Sequence, residues 1–464
     1  MQKLLKGGIL VTDEGTFQGN ILIEGEKIAR IGKFDVEELD TDCEVIDVMG
    51  KLIMPGIVDA HTHYQLKSRN TITADDFVSG SISAACGGVT TFIDYADHLP
   101  DHSLKEAAQL RIDEALGKTV LDFTLHQTIT HFDETISQEM VDLVKMGISS
   151  IKIFTTYRRE GYMIPTGQWE YVFRRLKELE ILLTVHAEDD DIIMRLEEEF
   201  KKRGQLSPDM HPKIRPSKAE EIAIEKVGEL ARKVGIPIYI AHLSSKAGYE
   251  ALKRVKQRGG AIYAETTPHY LLLDEGSLKE PMAQRFIMTP PLRTKKDQKA
   301  LWEGLKAGDI QVVATDHCSF TLEQKLSDDC CLTILPGLPG SETLLPLIHH
   351  FGVGQGLLEY PQLVRILSSE PAKIFGLYPE KGSLKPGTDA DLVVFDPKKK
   401  VTLTHSNLHS KADYTPYEGM EVQGYPVMTF LRGELVVRNG EFCGQIGQGR
   451  FIKAKRSKLY KKVV

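Results

Sequence analysis

The sequence predicts an α/β fold: a distorted (β/α)8 TIM barrel with a small β domain formed from both chain ends. Three observations point there. Short apolar strand candidates alternate with amphipathic helix candidates over roughly 300 residues, which favours a barrel over an open doubly wound sheet. A different, β-rich texture flanks that region on both sides. Several strand candidates also end in histidine, aspartate or lysine, where barrels carry their chemistry.

The opening "KGGILVTDEGTFQGNILIEGEKIARIG" alternates apolar stretches with Gly and Asp turn signals. The same texture returns in "KGSLKPGTDADLVVFDP" and "VMTFLRGELVVRNGEF". Residues 1–54 and 379–464 are therefore assigned to one β domain, and 55–378 to the barrel. The barrel strand candidates run in order: "GIVDAHTHYQ", "VTTFIDYA", "VLDFTLHQTI", "SSIKIFTTY", "ILLTVHAE", "IPIYIAHLS", "GAIYAETTP" and "IQVVATDH". Helix candidates between them include "GQWEYVFRRLKELE", "KAEEIAIEKVGELARKVG" and "SKAGYEALKRVKQRG". The basic end "GRFIKAKRSKLYKKVV" reads as a solvated tail or an arm at a subunit contact.

With 464 residues the chain can bury a large core, and its net charge of −7 argues against a nucleic-acid partner. The six cysteines match no disulfide or zinc-ribbon spacing. The start shows a short apolar patch without an h-region and cleavage site, so a signal peptide is not expected, and no apolar run approaches the ~20 residues of a membrane span. A reducing, cytoplasmic setting with no membrane contact is expected.

The polar strand ends carry the chemistry. In "HTH", His61 and His63 lie two apart, so an extended strand puts both side chains on one side and one metal can take both. His186 ends "ILLTVH", His242 ends "IYIAH", and Asp316 and His317 end "VVATDH". Singly, each could be a hydrogen-bonded core residue or a cap. Together they point to a metal site. Lys152, between Ile151 and Ile153, is harder to place, because a buried ammonium is expensive unless it is paired or uncharged. Four histidines and one aspartate offer little negative charge to two divalent ions. If the Lys152 amine adds carbon dioxide it becomes a carbamate, which removes the ammonium and creates a bridging anion.

These residues, with "MPGIVDAHTHYQ", "AHLSSKAG", "ETTPHYLLLDE", "TPPLR" and "SSEPAKIFGLYPEKGSLKPGTDADLVVFDP", resemble the amidohydrolase superfamily across nearly the whole chain. Within it, the chain is similar to the cyclic amidohydrolases: hydantoinase, dihydropyrimidinase, allantoinase and dihydroorotase. The resemblance implies a β-sandwich from both termini and two divalent metal ions, most often zinc. His61, His63 and Asp316 would hold one ion, His186 and His242 the other, and carboxylated Lys152 would bridge them. It further implies hydrolysis of a ring amide by a metal-bridging hydroxide, with Asp316 as general base and then acid, and Tyr157 hydrogen-bonded to the developing oxyanion.

Gln65, expected with Tyr157, Thr289 and Gly337 to contact the substrate, stands where dihydroorotase-type enzymes carry an arginine that grips a carboxylate, which favours the hydantoinase and dihydropyrimidinase branch. "IKIFTTY", with Tyr157, and "TDHCSF" followed by "EQK" point the same way. Allantoinase or a dihydroorotase-like activity is the enzymatic alternative. A non-catalytic dihydropyrimidinase-related scaffold is the remote one, set against the retention of all six ligand positions. Thr289 replaces the family's usual serine before "PPLR". Pro336 replaces an asparagine whose backbone contacts the ring; because it has no N–H, either that contact moves to Gly337 or the substrate differs. His269 reads as a structural residue. Lys67 and Arg69, in the loop after His63, are either solvated or suited to an anionic substituent. The resemblance also implies a homo-oligomer, tetramer or dimer.

Overall fold

The structure is a computed structural model that describes residues 2–34 and 42–462. Eight parallel strands run in sequence order: Ile57–Thr62, Val89–Ala96, Asp122–Thr128, Ser150–Phe154, Leu182–His186, Ile238–Ile240, Ile262–Thr266 and Val312–Val313. All eight fall inside the segments expected from sequence. A parallel bridge between Thr62 and His317 joins the last strand to the first and closes the barrel. Six of the strands are buried along their whole length, as expected for strands covered on both faces.

The outer helices follow from the same patterning. Ser217–Val234 turns Ala223, Ile224, Val227 and Ala231 inward at helical spacing and ends on Gly235 in the left-handed conformation. Trp169–Leu179 buries Val172, Phe173 and Leu176 on one face. Among the described residues, no helix is long and apolar enough to cross a membrane, and no disulfide forms.

The chain ends meet in a nine-stranded sheet. Leu52–Pro55 pairs antiparallel with Leu392–Phe395, so the strand leading into the barrel is stitched to a strand returning from it. The sheet has a core of its own, including Leu5, Leu10, Ile21, Ile53, Leu392 and Phe430. At its seam with the barrel lies Lys381, fully buried, with Nζ at 2.5 Å from Asp122, 2.7 Å from Asp391 and 3.0 Å from Asp389.

The basic C-terminal stretch departs from expectation in one respect: it is not a solvated tail but packs against its own barrel. The Ile452 N–H donates to the Phe123 carbonyl and the Ala454 N–H to that of Gly147. The Tyr460 hydroxyl donates to the Ile181 carbonyl, and Leu459 is buried. The apolar residues spaced among the lysines, which charge counting overlooks, fasten the segment across the N-terminal ends of the barrel strands.

Candidate metal centre and active-site cavity

The opposite, C-terminal end of the barrel holds a cavity of about 370 Å³, with His61, His63, Lys152, His186, His242 and Asp316 all in its wall. That volume suits a small ring with a substituent. The six residues come from five strand ends, and the local backbone explains how they converge. His61 is still within the first strand. His242 and Asp316 lie just past theirs, with φ of 38° and 50°. A left-handed residue there is strained, and it turns the side chain out of the strand's alternation toward the barrel axis. The sequence-based strands over-ran at both places, because regular alternation gives no sign of that turn.

His61 Nε2 and His63 Nε2 each lie 3.3 Å from Asp316 Oδ1, and one ligand atom from each of the three residues falls within 4.8 Å of the others. Burial alone would raise the Asp316 carboxyl, but His61, His63 and His242 hold it well below the usual carboxylate range. His186 Nδ1 and His242 Nε2 face each other at 3.0 Å. Burial lowers His61, His186 and His242 below ordinary histidine, so their ring nitrogens keep lone pairs for a metal. The donor set of imidazoles and one carboxylate fits zinc or a similar divalent ion.

Lys152 is 2% exposed. Among the described residues its Nζ has no hydrogen-bond acceptor and no ion-pair partner within contact distance; it lies over the Tyr95 ring, 4.9 Å from the centroid. Burial pulls the amine below the usual lysine range, against the pull of Glu265 and Asp316.

Several supporting residues were missed by the sequence reading. Glu265, wholly buried in the seventh strand, pairs with His61 Nδ1 and accepts from the Tyr239 hydroxyl (2.8 Å) and the His242 N–H (3.1 Å). It thereby presents His61 Nε2 to the cavity. Glu188 does the same for His186, accepting from Nε2 at 2.8 Å while Arg215 holds it at 2.6 Å. Asp59 accepts from the Thr315 N–H (3.0 Å) and hydroxyl (2.6 Å), tying the first strand to the residue before Asp316. The signal was available: each is an acid inside or just beyond an apolar strand, the same anomaly that marked Lys152.

Of the other expected site residues, Tyr157 and Thr289 line the cavity together. Tyr157 sits at φ 68°, with the Arg215 guanidinium 4.9 Å from its ring centroid. Burial raises its phenol, with Arg215 and the Thr289 hydroxyl opposing, so it stays protonated as a donor. Gln65 is not among the cavity-lining residues; it turns at φ 50° and its N–H donates to the Asp75 carbonyl, while Leu66 to Arg69 reach the cavity instead. Gly337 lines the cavity, but its N–H is committed to the Ile287 carbonyl at 3.0 Å. Only glycine fits there, since φ is 148° and a Cβ would lie 2.4 Å from the Cys318 carbonyl oxygen.

His317 faces away from the cavity. Its Nδ1 accepts from the Gly340 and Ser341 N–H groups, and its Nε2 pairs with Asp75 at 3.1 Å. His269 is buried outside the cavity and bonded to the Tyr417 hydroxyl.

Residues 52–436 match the amidohydrolase family. A D-phenylhydantoinase of Escherichia coli O127:H6 is 38% identical over 459 residues, covering 98% of each chain. The crystal structure of a dihydropyrimidinase from Brevibacillus agri superposes with a TM-score of 0.95 at 34% identity, over 98% of this chain and 99% of that one. An L-hydantoinase (dihydropyrimidinase) from Arthrobacter aurescens superposes at 0.89 with 28% identity, over 97% and 99%.

Proposed function

The chain belongs to the amidohydrolase family, and from that membership we propose that it hydrolyses a ring C–N bond in a hydantoin or dihydropyrimidine. One observation carries the proposal: five strand ends deliver four histidines, an aspartate and a bare buried lysine to the floor of a cavity walled by Tyr157 and Thr289. Two divalent ions, zinc in the first instance, would supply an activated water and a polarised carbonyl when bound there. His61, His63 and Asp316 would hold one, and His186 and His242 the other.

The chain's own groups do the rest. Asp316 stays ionised across the physiological range and lies at the cavity floor, placed to take a proton from water and return it to the leaving ring nitrogen. Tyr157 keeps its hydroxyl proton and lines the cavity, where it would serve as an oxyanion donor. Carboxylation of Lys152 would turn an unpaired buried amine into an anion among imidazoles, and a nitrogen whose neutral form is favoured by burial is suited to attack carbon dioxide. Lys67 and Arg69 stand at the mouth, with Arg69 also donating to the Leu332 carbonyl at 3.0 Å.

The proposal extends to a cytoplasmic homo-oligomer, tetramer or dimer, with residues 1–54 and 379–464 forming the β-sandwich domain and 55–378 the barrel. Light scattering on the purified protein tests the assembly.

Initial ring-opening rates on equal concentrations of dihydrouracil, hydantoin, allantoin and dihydroorotate, with zinc and bicarbonate supplied, test the activity. Preference for either of the first two is expected. Turnover of only the last two would replace this branch with the allantoinase or dihydroorotase one.

A further inference from the structure

Lys325 was not used by the chemistry above, yet it is 0% exposed. It ends a short helix, Leu322–Lys325, whose start is fastened by Thr321 and Gln324 in a capping box. Its Nζ donates to three carbonyls: Ile287 at 2.7 Å, Leu335 at 2.7 Å and Gly337 at 3.0 Å. Three N–H groups meet three acceptors, and no carboxylate is among them. Such an arrangement compensates a buried charge only while all three bonds are made.

The three carbonyls belong to two separate segments of the cavity wall. Ile287 immediately precedes Met288 and Thr289; Leu335 and Gly337 bracket Pro336; and Met288, Thr289, Pro336 and Gly337 all line the cavity. The Gly337 N–H also bonds the Ile287 carbonyl, so this one oxygen receives both the ammonium and the neighbouring segment. Next to Lys325, Gln324 Nε2 donates to Thr71 Oγ1 (2.8 Å) and the Ile72 carbonyl (2.9 Å), at the far end of the loop that brings Lys67 and Arg69 to the mouth. This single helical turn therefore reaches three pieces of the cavity.

We propose that Lys325 is a positioning residue for the ring-binding wall: it draws the carbonyls of Ile287, Leu335 and Gly337 onto one point and so fixes the gap between the Thr289 and Pro336 segments. The inference rests on the cyclic-amide reading of the cavity. Lys325 touches no expected metal ligand in the structure, so its loss acts on ring binding while the metal site stays intact. Holding the wall in advance lowers the ordering cost of binding a small rigid ring.

The test compares wild-type protein with K325M and K325Q, all metal-loaded. It measures kcat and KM on whichever ring the wild type opens fastest, metal content, and hydrogen exchange at the Gly337 amide. K325M is expected to raise KM by about tenfold or more with kcat changed less than about threefold and metal retained. Exchange at Gly337 is expected to speed up, and K325Q, which keeps an N–H donor, to recover part of both effects. If K325M does not fold, K325Q carries the comparison. KM within about twofold of wild type in the folded variants overturns the proposal, as does a fall in kcat and metal content with KM unchanged. A wild type that opens no ring sinks the cyclic-amide reading; the Gly337 exchange then still decides whether Lys325 holds the wall.

Discussion

Lys381 and Lys152 are both buried in the barrel region, one at the entrance end of the strands and one at the exit end, and they meet opposite surroundings. Lys381 is enclosed by the carboxylates of Asp122, Asp389 and Asp391. Against the cost of burial, those charges raise its ammonium above the usual lysine range, so it stays charged. Lys152 has no carboxylate in contact, faces imidazoles and an aromatic ring, and is lowered instead. Burial alone therefore does not mark a functional lysine. The neighbours decide whether the amine is a structural cation or a nitrogen available for chemistry.

Substituting each lysine in turn should separate these roles most sharply. Lys152→Met is expected to abolish ring opening while leaving the unfolding midpoint near that of the wild type, as measured by calorimetry and a rate assay on the same preparation. Lys381→Met should do the reverse. It removes the shared cation from the buried carboxylates of Asp122 and Asp391 and the half-buried one of Asp389, and costs about 3–5 kcal/mol of stability with kcat preserved. Normal turnover in the Lys152 variant would break the comparison at once.

At the exit end, Asp316→Asn should lower kcat by about 10²–10⁴-fold if the carboxylate moves the proton. A drop confined to KM would instead assign it to substrate binding. One step outward, Glu265→Gln weakens the acceptor behind His61 and should reduce zinc affinity by about 10–100-fold, read by competition with a chelator. Unchanged affinity would mean that the His61–Glu265 contact contributes only to packing.

The smallest expected effect is on alkaline stability. Because the folded-state pKa of Lys381 is raised, its contribution is complete below the unfolded lysine value of about 10.4 and is lost as pH rises through the folded value. The midpoint of the wild type should therefore begin to fall above pH ~10.4, and part of that fall should be missing in Lys381→Met.

Much of this molecule was legible beforehand. The eight barrel strands show as apolar runs, and strand ends are chemically distinctive because water-seeking side chains there interrupt them. Lys152 was noticed for that reason. Glu265 and Asp59 break their strands in the same way and were passed over, because one acid in a strand does not reveal which histidine or backbone group it holds. Gln65 was misjudged for a related reason: its place in the chain matches a family position, but a left-handed turn and a bond to the Asp75 carbonyl leave it out of the cavity wall.

By itself, then, the sequence determined the alternation of strand and helix, the β-rich ends, and the residue types available for metal and proton chemistry, since these depend on local periodicity and composition. Only the tertiary structure decided that His242 and Asp316 turn inward past their strands, that the basic C-terminus straps the barrel's entrance, and that Gly337 spends its N–H on Ile287. It also decided that one buried lysine meets three aspartates, another three carbonyls and a third none. Such partners lie far apart along the chain, and the free energy of a buried charge is set by what surrounds it in space.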